Sequence, residues 1–403
     1  MLNGLKKITM IRVGFVINFT HNKWLGGYNI IINLIKSINL LKNKKIEPVL
    51  IVNTKFKKKL LQQLKNVNYI KSDFFSQQSL LAKMINKFFI VFFGKSQLYD
   101  NFFKQHNISV LSHTLLPLGQ NSYIKSFPWI PDFQYLHYPQ NFSFKNKIMK
   151  TFNTIICSYH STNIILSSHD VKKDIKKISE RALKKSKINQ FVFEVPAKKN
   201  ILDINILKQK YNIPKKFFYL PNQYWIHKNH FLVLQSLKKT IIKDKSIVVI
   251  STGYADDHRS RGYFKKIEHY IEKNNLSDNY RYLGVVPYIE VMSLLFHSVA
   301  VINPSKFEGW SSSVEQAKSM GKKIILSNIG VHKEQNPHRG IYFNKNNFNK
   351  LSSILIQVWK NYNKKKEKKF INNAYKLQKK RLLKYAIQFE KIILGQKKFI
   401  NLI

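Results

Sequence analysis

The sequence predicts an α/β protein with two doubly wound domains, because short β-branched runs alternate with longer amphipathic segments along its 403 residues. The first series is a strand-like RVGFVINF, a helical NIIINLIKSINLLKNK and a strand-like EPVLIVN. A second series runs from 217 to 328, where five strand-like runs are separated by four helical ones. Strands that alternate with helices in this way form parallel sheets covered by helices on both faces.

The seam between the two domains is expected near residues 196–214. There Pro196 follows the strand-like FVFEV, and a Lys-rich connection reaches Pro214. We therefore expect one domain at residues 1–197 and a second at residues 198–375. Residues 376–403 have a helical pattern without a new strand, and we expect them to pack back toward the N-terminal domain.

The composition is that of a folded protein, with 44% hydrophobic and 13% aromatic residues. The single cysteine, Cys157, excludes an internal disulfide and favours a reducing, cytoplasmic compartment. No apolar run is long enough to span a membrane. The longest candidate, Phe88–Phe93, has the length of a core segment. The N-terminus has no cleavage site for a signal peptide and is interpreted as a short tail before the first strand.

The chain carries 69 Lys and Arg against 21 Asp and Glu, a formal net charge of +48. Its densest basic runs, at 172–187 and 363–370, have helical spacing, so solvated helix faces explain most of the charge. Attraction to an anionic membrane surface or an anionic substrate is the second interpretation. Nucleic acid is the least favoured partner, because the lysines are spread along the chain rather than gathered in one stripe.

Three motifs that would indicate a cofactor or a metal are incomplete or absent. GKS at 94–96 lacks the glycine of a phosphate-binding loop, since Phe89 stands five positions before Gly94. No G-x-G-x-x-G occurs for a dinucleotide. Asp256 and Asp257 are adjacent, and no D-x-D is present. Neither a resident cofactor nor a metal is therefore expected.

The most informative segment is NPSKFEGWSSSVEQAKSMGKKIILSNIGVHKEQNP, at 303–337, which reads strand, loop, helix, strand. Ser311–Ser313 open the helix, whose first-turn N–H groups can bind an anion. Glu308 lies in the loop beside Gly309 and could accept hydrogen bonds from sugar hydroxyls, while Glu315 or Gln316 could reach a ribose. The alternative is that Glu308 merely caps the helix.

This segment resembles the donor-site signature of retaining group 1 (family 4) glycosyltransferases, which have the GT-B fold. LGGYN near the start, WIPDFQYLHYPQNFS, ILSSHDVKKDI, LPNQYWIHKNHFLVLQSL and YLGVVPYIEVMSLLFHS agree with the family in order. The resemblance covers nearly the whole chain. It implies two Rossmann-like domains facing across a cleft, the N-terminal one on the acceptor side and the C-terminal one binding a nucleotide sugar.

Carried over residue by residue, the resemblance implies that Glu308 contacts the donor sugar and that Lys228 neutralises the diphosphate. A fixed cation suits this chemistry, because negative charge develops on the leaving group. His137 falls where family members carry a histidine that faces the sugar. The expected catalytic residues are therefore Glu308, Lys228 and His137. The residues expected to bind the donor are Gly26, Gly27, Gln223, Gly309, Trp310, Ser311, Ser312, Glu315 and Gln316.

Two residues depart from the family pattern in the C-terminal half. Gln316 stands where a second Glu usually binds ribose, and Glu315 is one position early. Gln223 aligns with an arginine of the phosphate site, so this site is one charge short. Arg259 and Arg261 are candidates to compensate.

The N-terminal half offers weaker signals. Gly26 and Gly27 are expected in a loop after the first strand, near the donor phosphate and acceptor, or in a generic tight turn. Asp132 precedes His137 in a segment where Tyr135 replaces a frequent second histidine. A packed or surface role for His137 is the alternative.

The resemblance implies retaining, metal-independent transfer of a hexosyl group from a nucleotide diphosphate to a saccharide or lipid-linked saccharide, in surface polysaccharide synthesis. An anionic membrane surface is an expected partner, with peripheral association at its inner face. A GT-B nucleotide-sugar epimerase and a basic binding protein with a decayed catalytic site are the alternatives.

Overall fold

The computed structural model describes residues 10–17, 25–56, 67–76, 78–116, 118–255, 260 and 262–396. By its contacts the described chain divides into two compact units. Unit 1 holds the residues up to Phe133, Phe144–Val192 and those from Lys380 onward, and unit 2 holds Gln134–Ser143 and Phe193–Lys379. The domain boundaries expected from the sequence stay a prediction.

The described residues of unit 1 form two parallel sheets, ordered β3-β2-β1-β4-β5 and β6-β7-β8. Pro128 separates β5 from β6 and has no N–H to donate, but its carbonyl accepts from Ile165 N at 2.8 Å. The strands are β1 Ile11–Ile17, β2 Ile46–Val52, β3 Asn68–Lys71, β4 Val110–Ser112, β5 Lys125–Phe127, β6 Trp129–Ile130, β7 Ile164–Leu166 and β8 Ser186–Ile188.

The helices in the described part of unit 1 are Leu25–Asn39, Leu80–Phe93, Gln97–Gln105, Phe144–His160, His169–Lys176 and Glu180–Lys185. Those of unit 2 are Gln134–His137, Ile204–Tyr211, His230–Ile241, Tyr263–Lys273, Tyr288–His297, Ser312–Met320, Gly330–Gln335 and Phe348–Lys360, with 3-10 turns at Pro139–Asn141, Lys198–Asn200 and Ile226–Lys228. The C-terminal helix, Lys364–Leu394, has residues in both units.

Unit 2 contains one parallel sheet of six strands in the order β11-β10-β9-β12-β13-β14. The chain starts at the centre with β9, builds outward to β11 and then crosses to β12, so the order reverses between β9 and β12. The strands are β9 Phe218–Pro221, β10 Val249–Thr252, β11 Tyr280–Tyr282, β12 Val301–Asn303, β13 Ile324–Ser327 and β14 Gly340–Phe343.

Both faces of this sheet are buried, as expected for a doubly wound domain. Along β9 the side chains alternate between two hydrophobic clusters, with Phe218 and Leu220 in one and Tyr219 in the other. Along β13, Ile325 faces the first cluster and Ile324 the second. The predicted α/β fold with parallel, doubly covered sheets is confirmed.

Three local expectations are wrong. Gly26 and Gly27 lie in the first turn of the helix Leu25–Asn39 rather than in a loop, because the apolar periodicity of the following residues extends the helix back to them. FVFEV, at 191–195, is assigned to neither helix nor strand. Phe88–Phe93 is not a core segment, since its aromatic side chains are largely exposed at the end of the helix Leu80–Phe93.

Candidate functional site

The expected site residues of unit 2 follow the two strands between which the strand order reverses. The turn Ile226–Lys228 follows β9, and the loop 304–311 follows β12. In open parallel sheets, ligands bind outside the carboxyl ends of the strands at this reversal. The fold therefore brings two segments about 80 residues apart in sequence to the position where such sheets bind ligands.

Lys228 and Glu308 form an ion pair at this position, with 2.6 Å between Lys228 Nζ and Glu308 Oε1. The same carboxylate oxygen accepts a hydrogen bond from Ser305 Oγ at 2.7 Å. The two charged side chains are only 14% and 9% exposed. Each largely buried charge depends on its partner, because an unpaired charge at this depth is costly. Glu308 is therefore held in place by its ion pair with Lys228. The N-cap position of the following helix is occupied by Ser311 and not by Glu308.

Hydrogen bonds to main-chain carbonyls hold the two segments together. Lys306 N donates to the carbonyl of His227 at 2.7 Å. Asn229 Nδ2 donates to the carbonyls of Pro304 and Lys345 at 3.1 and 2.9 Å. Asn229 has φ of 61°, a left-handed conformation that asparagine tolerates better than most residues. These contacts fix the backbone on both sides of the Lys228–Glu308 pair.

The helix Ser312–Met320 begins just after Glu308, and Ser311 at its N-cap makes no side-chain capping hydrogen bond. Instead, Asn303 Nδ2 donates to Ser311 Oγ at 2.8 Å and to Ser313 Oγ at 3.0 Å. The hydroxyl groups of Ser311 and Ser313 therefore accept hydrogen bonds from Asn303, the last residue of β12. The N–H groups of the first helical turn, with the positive end of the helix dipole, remain suited to an anion.

Gln335 connects this helix to the following one. Its Oε1 accepts from Ser311 N at 3.2 Å, and its Nε2 donates to Ser311 O at 3.0 Å and to Glu315 Oε1 at 3.1 Å. Glu315 is 1% exposed and also accepts from Lys318 Nζ at 3.1 Å. Gln316 is buried and interacts with the Tyr288 hydroxyl.

His332 is fully buried, and the charges of both Glu308 and Lys228 act on its pKa. Burial lowers the pKa of His332 to about 4, so its imidazole is neutral at pH 7. Its Nδ1 lies 2.9 Å from Ser327 O and 3.1 Å from Ser327 Oγ. Ser327 Oγ in turn donates to Ser305 O at 2.5 Å, which links the histidine to the loop that carries Glu308.

His137 belongs to unit 2 and ends the short helix Gln134–His137. Its exposed imidazole packs against the ring of Phe307, with 4.9 Å between ring centroids, so it lies beside the residue that precedes Glu308. Asp132 is half-buried in unit 1, and Tyr135 is buried.

The remaining candidates divide into those near the reversal and those elsewhere. Gln223 is half-buried after β9, and its carbonyl accepts from Trp225 N at 2.8 Å. Gly309 and Trp310 are buried in the Glu308 loop, and Ser312 is half-buried. Gly26 and Gly27 lie in unit 1. Arg259, Arg261, Asp256 and Asp257 lie outside the described residues.

Four contributors to this site were not expected from the sequence: Asn229, Asn303, His332 and Gln335. His332 and Gln335 stand within GVHKEQ, a part of the segment at 303–337. The sequence pattern alone does not show which of these side chains bonds to Ser311, which lies 24 residues before Gln335. In the described part of the chain, no group of three or more His, Cys, Asp or Glu residues could hold a metal ion. Among the described helices, none is long and apolar enough to cross a bilayer.

Known proteins are similar to this chain in sequence over residues 203–377 and in structure over nearly its whole length. Residues 203–377 match the family model described as glycosyl transferases group 1. No curated protein sequence matches the chain. HepE of Anabaena, in complex with UDP and glucose, is similar in structure with a TM-score of 0.68 and 14% identity, over 96% of this chain and 100% of that one.

Two further structures are similar over comparable lengths. A glycosyltransferase of Rickettsia africae has a TM-score of 0.64 and 16% identity, over 96% of this chain and 100% of that one. WaaG, a glycosyltransferase involved in lipopolysaccharide biosynthesis, has a TM-score of 0.62 and 12% identity, over 95% of this chain and 100% of that one. The chain therefore has the predicted GT-B fold, and the family resemblance is confirmed by the match of residues 203–377, which include both Lys228 and Glu308.

Proposed function

We propose that this protein is a retaining glycosyltransferase that moves a hexosyl group from a nucleotide diphosphate to a saccharide or lipid-linked saccharide, in surface polysaccharide synthesis. The observation that carries the proposal is the buried Lys228–Glu308 pair at the reversal of the strand order, directly before a helix N-terminus. A cation, an anion site and a carboxylate are the groups that a sugar diphosphate requires.

In this proposal Lys228 and the N–H groups at the start of the helix Ser312–Met320 hold the diphosphate. Their fixed positive charge stabilises the negative charge that develops on the leaving group. Glu308 accepts hydrogen bonds from the sugar hydroxyls, and the buried backbone of Gly309–Ser311 lies against the sugar. The diphosphate then shares Lys228 with Glu308.

Retention follows from a front-face displacement in which the leaving phosphate helps to deprotonate the acceptor hydroxyl. The protein supplies position and charge, and exclusion of water limits hydrolysis of the donor. The proposal includes no metal. It assigns the ribose to Gln316 and Glu315, leaves Gln223 as an uncharged phosphate contact, places Gly26 and Gly27 near the acceptor, and gives the exposed His137 imidazole a sugar-facing role beside Phe307.

The proposal places the enzyme in the cytoplasm, with peripheral association at the inner face of an anionic membrane. The net charge of +48 supports this association, since each lysine near an anionic surface adds to the attraction. Lipid-linked acceptors are held at such a surface. A membrane location would therefore raise their effective concentration at the site.

The experiment that tests the transferase proposal measures binding and turnover of UDP-, GDP- and other nucleotide sugars at fixed salt, with and without saccharide acceptors. We expect selective binding of one donor. Glu308→Ala should lower the transfer rate about 100-fold, because a contact to the reacting sugar is lost. Lys228→Ala should weaken donor binding about tenfold or more, because a charge-assisted contact to phosphate is lost.

Lys210→Ala is the matched control. It also removes one lysine from an ion pair of unit 2, with Lys210 Nζ 2.6 Å from Glu290 Oε1, but outside the proposed site. Full transfer by Glu308→Ala would refute the proposed role of this residue. Equal, salt-sensitive binding of every nucleotide by all variants would indicate a basic binding protein. An epimerised donor formed without acceptor would indicate an epimerase.

A further inference from the structure

The helix Leu80–Phe93 of unit 1 turns an apolar face to solvent. Of its 14 residues, eight large hydrophobic side chains are between 39% and 70% exposed. They are Leu81, Met84, Ile85, Phe88, Phe89, Val91, Phe92 and Phe93. Their i, i+3, i+4 and i+7 spacings place most of them on one broad face. Exposed apolar patches of this kind mark interaction surfaces.

The opposite side of the helix holds it on unit 1. Asn86 and Ile90 are buried, and Asn86 Oδ1 accepts a hydrogen bond from Ser96 Oγ. Gly94 ends the helix in a left-handed conformation, with its N–H bonded to Ile90 O at 3.1 Å. Asn121 Nδ2 donates to Phe93 O at 3.1 Å. The apolar face is therefore presented by an anchored helix.

This helix differs from an ordinary surface helix, which buries its apolar face and exposes its polar one. Here a buried asparagine faces the unit, and the aromatic rings pack along the outer side of the helix. Phe88 and Phe92 lie 4.5 Å apart between centroids, and Phe89 and Phe93 lie 5.3 Å apart. These rings contact one another while their outer surfaces stay exposed.

We propose that this face inserts into the interfacial region of an anionic lipid bilayer. Fourteen helical residues extend about 21 Å, which is too short to cross a hydrocarbon core of about 30 Å. A helix of this length with one apolar face lies in the plane of the interface instead. Exposed Lys87 and Lys95 at its margin are suited to anionic headgroups.

Charge complementarity favours a bilayer over a second copy of the chain. Two copies would bring together surfaces of the same sign, since each carries a net charge of +48. An anionic bilayer offers the opposite charge together with an apolar layer. Insertion itself is independent of the chemistry in unit 2. Its use to reach a lipid-linked acceptor rests on the proposed function.

A second helix of unit 1 has a similar pattern. Phe144, Ile148 and Phe152 follow one another at four-residue spacing along the helix Phe144–His160 and are 53% or more exposed. Lys145 and Lys150 are exposed on the same helix. Lysines interleaved with apolar residues are typical of helices that lie on membrane surfaces.

The test is co-sedimentation with vesicles of phosphatidylcholine containing 30% phosphatidylglycerol. We expect the double variant Phe88→Ser/Phe92→Ser to lower the partition coefficient about tenfold or more, while its thermal unfolding and donor binding stay as in the wild type. Ile242→Ser is the matched control, because Ile242 is 80% exposed in unit 2 and should not alter binding. Unchanged vesicle binding by the double variant would overturn the proposal.

A site-specific probe separates insertion from surface adsorption. Cys157 is buried, and burial raises the pKa of its thiol to about 11, so a new exposed cysteine is labelled selectively at pH 7.5. An environment-sensitive dye on Phe92→Cys should shift to shorter wavelength with vesicles, and the same dye on Gln209→Cys in unit 2 should not. An unshifted dye, or a dimer in solution that Phe88→Ser/Phe92→Ser abolishes, would overturn insertion.

The two proposals fail separately in these experiments. If insertion is wrong, vesicle binding is insensitive to Phe88 and Phe92 while donor selectivity in solution persists. If the transferase proposal is wrong, no nucleotide sugar is selected while the dye on Phe92→Cys still shifts.

Discussion

Gln335 joins parts of the site that are distant in sequence. One amide brackets the backbone of Ser311 through both its N–H and its carbonyl, and it also donates to the buried carboxylate of Glu315. All of these groups are buried, so each needs its partner. The position of the backbone after Glu308 therefore depends on a side chain that the proposed reaction does not itself require.

Gln335→Ala should lower the free energy of unfolding of unit 2 by about 1–3 kcal/mol. The variant removes the acceptor of the buried Ser311 N–H and one of the donors to the buried Glu315 carboxylate. Donor affinity should fall as well, since the start of the helix Ser312–Met320 is no longer fixed. Urea denaturation and nucleotide-sugar titration measure the two effects.

The control for this variant is Gln357→Ala, at an exposed position of the helix Phe348–Lys360. It should change both quantities by less than about 0.5 kcal/mol. If Gln335→Ala behaved like this control, the bracket around Ser311 would have no part in stability or donor binding.

Gly321 ends the helix that follows the site, and its environment leaves no space for a side chain. It has φ of 70°, and an added Cβ would lie 2.5 Å from Phe370 O and 2.8 Å from the Ala374 Cβ of the C-terminal helix. Next to it, the buried Lys322 Nζ donates to Ser298 O at 2.6 Å and to Phe296 O at 3.0 Å. The end of one helix is thereby packed against two others.

Gly321→Ala should destabilise unit 2 more than Gly284→Ala. Both glycines have φ near 70°, so both variants incur the cost of a left-handed conformation, about 1 kcal/mol. Only Gly321 also meets backbone, because no atom lies within 4 Å of an added Cβ at Gly284. Denaturation of the two variants side by side gives the difference, and equal losses would show that the C-terminal helix adjusts without cost.

The doubly wound fold could be predicted because each strand and helix of unit 2 has its own periodic pattern, from β9 to β13. The strand, loop, helix, strand pattern of residues 303–337 was sufficient to place Glu308 at the carboxyl end of a strand, which is β12 in the structure. The direct pairing of Lys228 with Glu308 could not be predicted, because it depends on backbone contacts such as Lys306 N to His227 O.

The three wrong local predictions have a common cause, since a short sequence pattern does not show what surrounds the segment in the fold. An apolar run such as Phe88–Phe93 does not show by itself whether its side chains pack in a core or lie at a surface. The prediction of a core segment was wrong, because the aromatic side chains of this run are exposed. FVFEV has buried Phe191, Phe193 and Val195 at strand spacing without being a strand, so alternating burial alone is not sufficient evidence for a strand. Gly26 and Gly27 favour turns locally, but the apolar pattern that follows them decides for the helix.

The whole molecule contains buried histidines that couple its stability to pH. Burial lowers the pKa of His113 in unit 1 to about 3, that of His230 in unit 2 to about 3 and that of His332 in unit 2 to about 4. The ordinary value in an unfolded chain is near 6.5. Between pH 6.5 and 4 the folded protein therefore keeps these imidazoles neutral, while the unfolded chain binds protons on them.

Stability should thus be fully present above pH 6.5 and fall as the pH decreases toward 4. In unit 2, His297, whose pKa burial also lowers, adds to the pH dependence in the same direction. His230 and His332 together contribute a slope of about 2 kcal/mol per pH unit between pH 6.0 and 5.0, because the unfolded chain binds nearly two more protons on them. His230→Phe should reduce this slope by about half, because one titrating group is lost while the stack on Tyr224, with centroids 4.1 Å apart, can be kept. Urea denaturation at pH 6.0, 5.5 and 5.0 measures the slopes. A variant with the wild-type slope would mean that His230 is protonated equally in the folded and unfolded chains, in contradiction to its complete burial.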